Sequence, residues 1–387
     1  MRISRLLLVV SVLCFACNCN KSVDELPTID IGSNAFNFEK IYLSDYATEI
    51  KYIPMEVDLN FLLGMNVEFL ADFSDDYILE TDGLKCLLYG RDGKFIRTIG
   101  QQGRGPGEYI GISAIFLRGE NIYIYDYYTD DLIEYKTDGS FVKRHNSGFT
   151  VDEKFLVKDA YIINDSMIIG DYENRTGKEE YKAFLFDKDG TITESYRNYE
   201  LFNLDPGVKQ ANSGGHAIYF RFEDKVFFKE YLNDTLFVLS SDNRLEPYYV
   251  FDFGKYKLPL SNRGKGLAQM DMKSYISIYH LQQTEKFIFI VCRYGKYFPA
   301  YRLTVESVNL PGGDIFNRTQ NSESVLGIYS KESGDLVFSE PTDTDNHLYT
   351  TGFYNDIDAG PRFMPRKMVN DSTIAMKIPF YRLMMHV

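Results

Sequence analysis

The residue types that most often carry out chemistry are few in this sequence and widely separated. There is no Gly-x-Ser-x-Gly motif, which would place a nucleophilic serine on a sharp turn. Histidines are common metal ligands and general bases, but no two of them have the spacing of a local metal site. The sequence therefore predicts no catalytic group and no metal site. The five histidines are His145, His216, His280, His347 and His386.

Two arginines are notable because they lie in otherwise apolar, strand-like segments. Arg221 lies within Tyr219–Phe222, and Arg293 lies within Phe287–Tyr294. A charged side chain in such a strand needs an ion-pair partner or water. A guanidinium also binds a planar carboxylate through two parallel hydrogen bonds. Arg221 and Arg293 are therefore candidate ligand-binding residues; the alternative is a salt bridge between neighbouring sheets or a solvated face.

The stretch Gly100–Tyr109 contains four glycines and a proline between two apolar segments. A glycine-rich loop that binds phosphate has to open a helix, whose first N–H groups contact the anion. The residues after Tyr109 have no helical pattern, so we expect a connector between two small sheets. Arg104 and Glu108 are its only charged residues. They either pair with each other or contact a ligand, which makes Arg104 a third candidate binding residue.

Two carboxylates close together near the C-terminus raise the question of a cation. Asp356 and Asp358 flank an aliphatic residue in a turn-rich stretch. Aspartate side chains cap turns by accepting backbone hydrogen bonds, and this is what we expect of both. Calcium coordination is the alternative. No other cofactor is indicated.

A short motif repeats along the chain and predicts how these residues are positioned. It consists of an aromatic or apolar residue, three further residues and then glycine or asparagine, followed by another apolar segment. The motif recurs about every fifty residues, which is the length of a four-stranded propeller blade. Its copies are Tyr89–Gly93, Tyr135–Gly139, Phe186–Gly190 and Leu239–Asn243, with a copy one residue longer at Tyr329–Gly334.

The interval between the last two copies is longer than the others. It contains either a degenerate blade or an insertion within one blade. Tyr275–Leu281 and Lys286–Arg293 have the pattern of two consecutive strands, and Val325–Tyr329 that of the third strand of the same blade. We therefore favour an insertion near 296–322.

Composition restricts the class of protein. Aromatic residues make up 15% of the chain, with 30 Tyr and 29 Phe, and no long segment has a helical apolar stripe. Tyr and Phe favour strands, so the chain is predicted to be all-β. The net charge is −13. Because nucleic-acid binding depends on Lys and Arg contacts to phosphate, we exclude nucleic acid as a partner.

The N-terminus has the features of an export signal. Two arginines, Arg2 and Arg5, precede the short apolar run Leu6–Phe15. Ala16 and Cys17 then form the end of a lipobox-like sequence, so residues 1–16 are predicted to be removed and Cys17 to be lipidated. Cys19, or cleavage of a plain secretory signal, is the alternative. Residues 17–26 would then be a polar tether to a bacterial membrane, with the outer membrane favoured.

Two further motifs carry a family resemblance. Gly103-x-Gly105-Pro106-Gly107-Glu108-Tyr109 and the late Asn355-Asp356-Ile357-Asp358-x-Gly360-Pro361-x-Phe363-x-Pro365, together with the leader, resemble the six-bladed β-propeller lipoproteins of Bacteroides-type bacteria. This NHL/TolB-like group is largely uncharacterised. The resemblance covers about residues 27–380.

The resemblance implies one all-β domain, residues 27–387, built as a six-bladed β-propeller of four-stranded antiparallel blades. The last blade would contain His347–Phe353 and Ser372–Ile378, closed by the N-terminal strands of Phe38–Met55. Closing a ring in this way removes exposed sheet edges. Related chains continue with one more strand, so the last blade here either lacks a strand or ends differently.

These features favour a monomeric envelope binding module that holds a glycan, peptide or protein ligand on a propeller face. The basis is the lipid anchor, the many aromatic residues and the lack of a catalytic set. A second hypothesis is a lactonase-like or lyase-like propeller enzyme with a metal or an Arg/His site in the central channel. A third is a structural component of an envelope complex. Fold by itself does not decide among these three.

Overall fold

A computed structural model describes most of the chain. The residues that it describes are 26–58, 63, 70–129, 131–145, 150–152, 155–156, 160–164, 166–211, 215–265, 272–298, 305–309, 315–319, 324–341 and 351–378. The predicted leader and Cys17 lie outside these ranges. No helix within the described ranges has the length and apolar character needed to cross a membrane.

The described chain begins with an extended N-terminal segment. Asp30 caps the single turn of helix, since its side chain accepts a hydrogen bond from the Ser33 N–H at 2.8 Å. The elements of this segment are β1 (Thr28–Asp30), α1 (Ile31–Asn34), β2 (Phe38–Glu39) and the 3₁₀ turn Leu43–Asp45.

Three four-stranded antiparallel sheets follow, each with its strands paired in chain order. Their middle strands are apolar and buried, because each sheet packs between two neighbours, whereas their outermost strands are largely exposed. The first sheet contains β3 (Leu70–Phe73), β4 (Tyr77–Thr81), β5 (Cys86–Gly90) and β6 (Phe95–Thr98), and the short pair β7 (Gln101–Gln102) and β8 (Glu108–Tyr109) follows it. The second contains β9 (Ile112–Arg118), β10 (Asn121–Asp126), β11 (Asp131–Lys136) and β12 (Phe141–His145), followed by β13 (Thr150–Asp152) and β14 (Phe155–Leu156). The third contains β15 (Ala160–Asn164), β16 (Met167–Asp171), β17 (Tyr181–Asp187) and β18 (Ile192–Arg197).

Two further sheets have the same antiparallel order and each gains a fifth strand from the N-terminus. β1 pairs in parallel with the outer edge of the fourth sheet, and β2 with that of the fifth. The fourth contains β19 (Ile218–Phe222), β20 (Lys225–Lys229), β21 (Thr235–Leu239) and β22 (Leu245–Asp252), followed by the 3₁₀ turns Gly254–Tyr256, Leu260–Lys265 and Met272–Ser274. The fifth contains β23 (Ser277–Gln283), β24 (Phe287–Arg293), β27 (Ser324–Ser330) and β28 (Leu336–Ser339). Between β24 and β27 lie the 3₁₀ turn Gly295–Tyr297 and the hairpin of β25 (Val305–Asn309) and β26 (Ile315–Thr319).

The repeated motif marks the turn between the third and fourth strands of every sheet. Its last residue has a left-handed backbone at each copy, with φ of 82° at Gly93 and 60° at Asn243. Glycine and asparagine tolerate this conformation better than other residues, which explains the sequence signal. The other copies end at Gly139, Gly190 and Gly334.

The sheets are arranged as blades around an axis. The first strands of successive blades contact one another in the order β3, β9, β15, β19 and β23. A last hairpin, β29 (Lys367–Asn370) with β30 (Thr373–Ala375), completes the ring because β29 contacts both β23 and β3. The apolar core lies between adjacent blades rather than in one central layer. The chain is therefore a β-propeller with antiparallel four-stranded blades.

The predicted number of blades is wrong: the described residues form five complete blades, not six. At the sixth position, the regular strands in the described part of the chain are those of the β29–β30 hairpin. Before it, Phe353 and Phe363 form a single antiparallel bridge. Pro361 and Pro365 lie in this segment and lack the N–H that a ladder needs, which limits strand pairing there.

The predicted closure of the last blade by Phe38–Met55 is not confirmed. β1 and β2 join the fourth and fifth blades, and neither pairs with β29 or β30. A bridge between Tyr42 and Tyr354 links the N-terminal segment to the last sector, where the Leu43 N–H donates to the Tyr354 carbonyl at 2.8 Å, and hydrogen bonds between Ser44 and Asp356 add to this link. The N-terminal segment thus runs along the outside of several sectors instead of completing one.

Candidate functional site

The innermost strands bring most of the candidate chemistry to the axis of the ring. Among the described residues of these six strands there are three permanent cations and one carboxylate. This is the reverse of the whole chain, whose net charge is −13. The charged residues are Arg118 on β9, Arg221 on β19, Lys367 on β29 and Asp72 on β3.

Asp72 is the centre of a buried network that joins three sectors. It accepts hydrogen bonds from the Leu117 N–H and from Nη1 of Arg118, each at 2.8 Å, and Nζ of Lys367 lies 3.2 Å away. Burial alone would raise the pKa of this carboxyl, but the cations of Lys367 and Arg118 outweigh it and hold the pKa below its usual value. Asp72 therefore stays ionised and neutralises part of the positive charge at the axis.

A run of aromatic rings lies on three consecutive innermost strands. Phe116 meets Tyr161 edge-to-face at 5.3 Å between ring centroids, and Tyr161 stacks on Tyr219 at 5.6 Å. The Arg118 guanidinium lies 5.5 Å from the first of these rings and 5.6 Å from the second. Such cation–π contacts orient Arg118 between the second and third blades.

Arg221 lies on the innermost strand of the fourth blade, half-buried. Its Nη2 donates a hydrogen bond to the Ile163 carbonyl of the third blade. Its Nε is buried and has no hydrogen-bond partner among the described residues. No carboxylate in the described ranges forms a salt bridge with it. Part of its hydrogen-bonding capacity is therefore unused.

Arg293 lies at the end of β24 and is exposed. Its guanidinium is 5.5 Å from the ring of Tyr279, a residue of the innermost strand β23. A second guanidinium, that of Arg366, lies 6.0 Å from the same ring and its Nη1 is 3.4 Å from the Tyr279 hydroxyl. No salt bridge to Arg293 is present within the described ranges. We refer to Tyr279, Arg293 and Arg366 as the axial site.

The position of the axial site follows from strand direction. β24 ends at Arg293, where β23 begins, and Arg366 immediately precedes β29. All three residues therefore lie at the end of the ring where the innermost strands begin. The neighbouring His280 has a pKa lowered to about 3, because burial and then the cations of Arg366 and Lys367 disfavour its charged form. The imidazole is thus neutral and adds no further charge.

Arg104 is exposed, on the surface of the glycine-rich connector. No ion pair between Arg104 and Glu108 is present in the described part of the chain. Glu108 instead accepts hydrogen bonds from the Gly105 N–H at 2.7 Å and from Nε2 of Gln101 at 2.6 Å. The connector is thus a braced turn that leaves the Arg104 side chain exposed.

The connector is also fastened to the second blade. Nε of Arg144 donates to the Pro106 carbonyl at 3.1 Å, and the Tyr135 hydroxyl donates to the Gly107 carbonyl at 2.9 Å. Gly100 has φ of +62°, and a Cβ there would lie 2.4 Å from the Tyr135 oxygen. The glycines therefore serve close backbone packing.

Asp358 caps its own turn, whereas Asp356 binds Ser44 of the N-terminal segment. The two carboxylate oxygens of Asp356 accept from the N–H and the hydroxyl of Ser44 at 3.0 and 2.6 Å. Asp358 accepts from Nδ2 of Asn355 at 2.6 Å and from the Gly360 N–H at 2.9 Å. Within the described ranges, no three His, Cys, Asp or Glu residues are grouped as a metal site requires.

A small cavity lies between the fourth and fifth blades, with Lys229, Asn233 and Ser277 in its wall. Its volume is about 20 Å³, which suits one water molecule and excludes an organic ligand. Nζ of Lys229 donates to the Glu230 carbonyl at 3.0 Å, and burial lowers the pKa of Lys229 to about 8. The cavity is therefore part of the packing.

The sequence singled out Arg221 and Arg293 as candidate ligand-binding residues, which remains a prediction, and it did not single out Tyr279, Arg366 or Lys367. A sequence pattern could have indicated Tyr279, because a tyrosine lies near the start of the innermost strand in three consecutive blades. These are Tyr161, Tyr219 and Tyr279.

The fold and this axis define the class: an all-β propeller with a basic, aromatic-lined axial end. The chain belongs to the DUF4934 family, a domain of unknown function, whose model matches residues 26–384. No curated protein sequence matches it.

Three solved structures are similar to this chain, and the first of them supports the fold. A protein from Bacteroides fragilis described as exported is similar with a TM-score of 0.55 and 16% identity, over 80% of this chain and 79% of that one. A DUF4221-family protein from Bacteroides vulgatus has a TM-score of 0.47 and 11% identity, over 70% and 80% of the two chains. Virginiamycin B lyase from Staphylococcus aureus has a TM-score of 0.37 and 10% identity, over 71% and 70%. At these identities the first similarity concerns the fold alone.

Proposed function

We propose that this protein is an exported, envelope-attached binding module that recognises an anionic group of its ligand at the axial site. The ligand would be a glycan or peptide that carries carboxylates. The observation that carries the proposal is the concentration of basic side chains at the axis of an acidic chain. Among the described residues of the six innermost strands, the cations Arg118, Arg221 and Lys367 outnumber the carboxylate Asp72, and Arg293 and Arg366 lie at the axial site.

The geometry favours a planar anion. Arg293 is exposed and stacks against Tyr279, so its guanidinium is already held in place while its edge can meet a ligand. A guanidinium binds a carboxylate with two parallel hydrogen bonds, and a tyrosine ring beside it offers an apolar surface for the rest of the ligand. Arg221 is the second candidate, through its unpartnered Nε.

Binding is favoured over catalysis by the same residues. His280 is the histidine nearest to the axial site in sequence, and with a pKa of about 3 it is a poor general base at neutral pH. A lactonase-like or lyase-like activity remains the alternative. Elemental analysis of the purified protein separates the two, because stoichiometric calcium or zinc would favour the enzyme.

The proposal is tested with two pairs of probes that differ in charge: trigalacturonate against maltotriose, and hexaglutamate against hexaglutamine. Calorimetry should detect the acidic member of at least one pair, with the neutral member about ten-fold weaker or undetectable. Arg293→Ala should reduce that affinity about ten-fold, the value of a charge-assisted hydrogen bond. Arg244→Ala is the matched control, since Arg244 is exposed in an outer turn. Equal binding of acidic and neutral probes would refute the proposal.

Attachment to the membrane is proposed to occur through lipid on Cys17, after removal of residues 1–16. Support comes from the leader sequence and from the exported relative. Cys17→Ala should move the protein from the membrane fraction to the soluble fraction of cells. Unchanged membrane association would refute the lipid anchor and would leave the axial site untouched.

A further inference from the structure

A four-residue motif occurs twice, directly after β22 of the fourth blade and directly after β24 of the fifth, and has the same backbone each time. The copies are Phe253–Tyr256 and Tyr294–Tyr297, which read aromatic-Gly-Lys-Tyr. Each forms a 3₁₀ turn, with φ of +51° at the first glycine and +52° at the second. In both copies the aromatic residue before the glycine is helical. Two separate segments have therefore adopted one local structure.

The two copies meet through their tyrosines. The rings of Tyr256 and Tyr297 contact edge-to-face, with 5.0 Å between centroids. The ammonium of Lys255 lies 5.1 Å from the first ring, and that of Lys296 lies 5.4 Å from the second. Phe36 packs on Tyr256 at 5.7 Å and is 46% exposed. We refer to Phe36, Lys255, Tyr256, Lys296 and Tyr297 as the paired-lysine patch.

Both lysines are exposed and available to a partner. Neither forms an ion pair with any residue that the structure describes; Lys296 donates only to the Ser274 hydroxyl, at 2.7 Å. The nearby Lys257, in contrast, is paired with Asp234. Two ammonium groups without an ion pair among the described residues thus lie beside an exposed phenylalanine, on a chain whose net charge is −13.

The patch lies where the chain enters the fold. β1 pairs with the end of β22, directly before the first copy of the motif. Gly32 of α1 packs so closely on that copy that a Cβ would lie 2.8 Å from the Gly254 nitrogen. The segment from Cys17 to Leu26 can span at most about 30 Å when fully extended. A chain attached at Cys17 would therefore keep the patch close to the bilayer.

We propose that the paired-lysine patch contacts the anionic surface of the membrane. Lysine ammonium groups bind anionic headgroups while their stems and neighbouring aromatic rings lie at the apolar boundary. The patch lies directly after the ends of β22 and β24, at the end of the ring where the innermost strands begin, which is also the end that holds the axial site. This inference relies on the lipid anchor of the proposed function for its location, but its tests can be separated from that anchor.

The first test uses the chain from residue 18 onward, which has no lipid and keeps every described residue. Its binding to phosphatidylcholine vesicles that contain one quarter phosphatidylglycerol is measured by co-sedimentation, with pure phosphatidylcholine as reference. We expect binding to the anionic vesicles only. Lys255→Ala with Lys296→Ala should weaken it about 25-fold, from about five-fold per lysine.

The matched control is Lys94→Ala with Lys188→Ala, which removes the same charge from exposed outer turns of the first and third blades. It should leave vesicle binding unchanged. No binding of the unsubstituted chain to anionic vesicles, or an equal loss in the control, would overturn the proposal. Neither result depends on whether Cys17 is lipidated.

The second test uses the full lipidated protein and its lack of tryptophan. Phe36→Trp places the only tryptophan of the variant in the patch, where it can be excited selectively over the tyrosines. Phe141→Trp, on the outer strand of the second blade, is the control, since Phe141 is 42% exposed. In vesicles with brominated lipids, the tryptophan at 36 should be quenched and the one at 141 should not. Equal quenching of the two tryptophans would overturn the proposal. This is the result expected if a protein partner, and not the membrane, covers the patch.

Discussion

The buried carboxylate at the axis allows a quantitative test of the structure. Asp72→Asn keeps the shape of the side chain and removes its charge, so Arg118 and Lys367 lose the only carboxylate of the six innermost strands in the described part of the chain. Loss of one partner from a buried ion pair typically costs about 3–5 kcal/mol. The Lys367 side chain is 29% exposed and can recover hydration. We therefore expect Asp72→Asn to lower the free energy of unfolding by about 3 kcal/mol, the lower end of this range.

The pH dependence has a definite sign. The folded-state pKa of Asp72 is lowered below its unfolded value, so its contribution is present above that unfolded value, about 3.9. It is lost as the pH falls through the lower folded-state pKa. The difference in stability between the protein and Asp72→Asn should therefore be constant from about pH 5 to 7 and should shrink below about pH 4.

Urea unfolding followed by circular dichroism and by tyrosine fluorescence measures this difference, provided that the two transitions coincide. Asp92→Asn is the control, because Asp92 and Lys94 form an exposed surface pair that should contribute little. The affinity for the acidic probe should rise in Asp72→Asn, since positive charge at the axis is no longer neutralised. Equal stability of Asp72→Asn and Asp92→Asn would refute the network as described.

Three other substitutions test the packing. Lys229→Met should increase the free energy of unfolding at pH 7 by up to about 3 kcal/mol, because the folded-state pKa of Lys229, near 8, lies below its unfolded value and burial of the charged form is unfavourable. The gain should fade between pH 8 and about 10.5. A gain that stays constant over this pH range in urea unfolding would contradict this. Gly100→Ala should lower stability more than Gly119→Ala, as measured by thermal unfolding. Both glycines have positive φ, which costs an alanine about 1–2 kcal/mol, but only the Cβ at position 100 would also contact Tyr135. Equal losses would argue against the close contact. Gln283→Met should increase the free energy of unfolding by about 1–3 kcal/mol, because the Gln283 side chain is fully buried and its amide has no hydrogen-bond partner among the described residues. A decrease measured by urea unfolding would instead reveal a partner such as water.

The features of the fold that could be predicted from the sequence are those that depend on local backbone conformation. Gly93 and Asn243 occupy turns that require positive φ, so the spacing of such residues along the chain is enough to predict the blade repeat. The aromatic-rich, β-prone segments between these turns pointed to antiparallel sheets, and the described blades have this form. Arg221 and Arg293 were selected because charge is costly in an apolar strand.

The contacts of the arginines at the axis could not be predicted from the sequence. The Arg366 guanidinium meets the Tyr279 hydroxyl across a sequence separation of 87 residues, and Arg118 meets Asp72 across 46. Such contacts depend on which blades are neighbours and on how far each innermost strand is shifted along the axis. No short segment carries that information.

The number of blades and the course of the N-terminus were also decided by tertiary structure. A strand such as Thr28–Asp30 can add to any sheet edge with free backbone groups, and its own residues do not specify which one. The sequence alone predicted the turns and the strand-forming segments that the structure shows, and it also predicts an export signal, because these features depend on neighbouring residues. Closure of the ring, the basic axis and the meeting of the two aromatic-Gly-Lys-Tyr turns were decided only by the packing of blade against blade, because they join residues that are far apart in the chain.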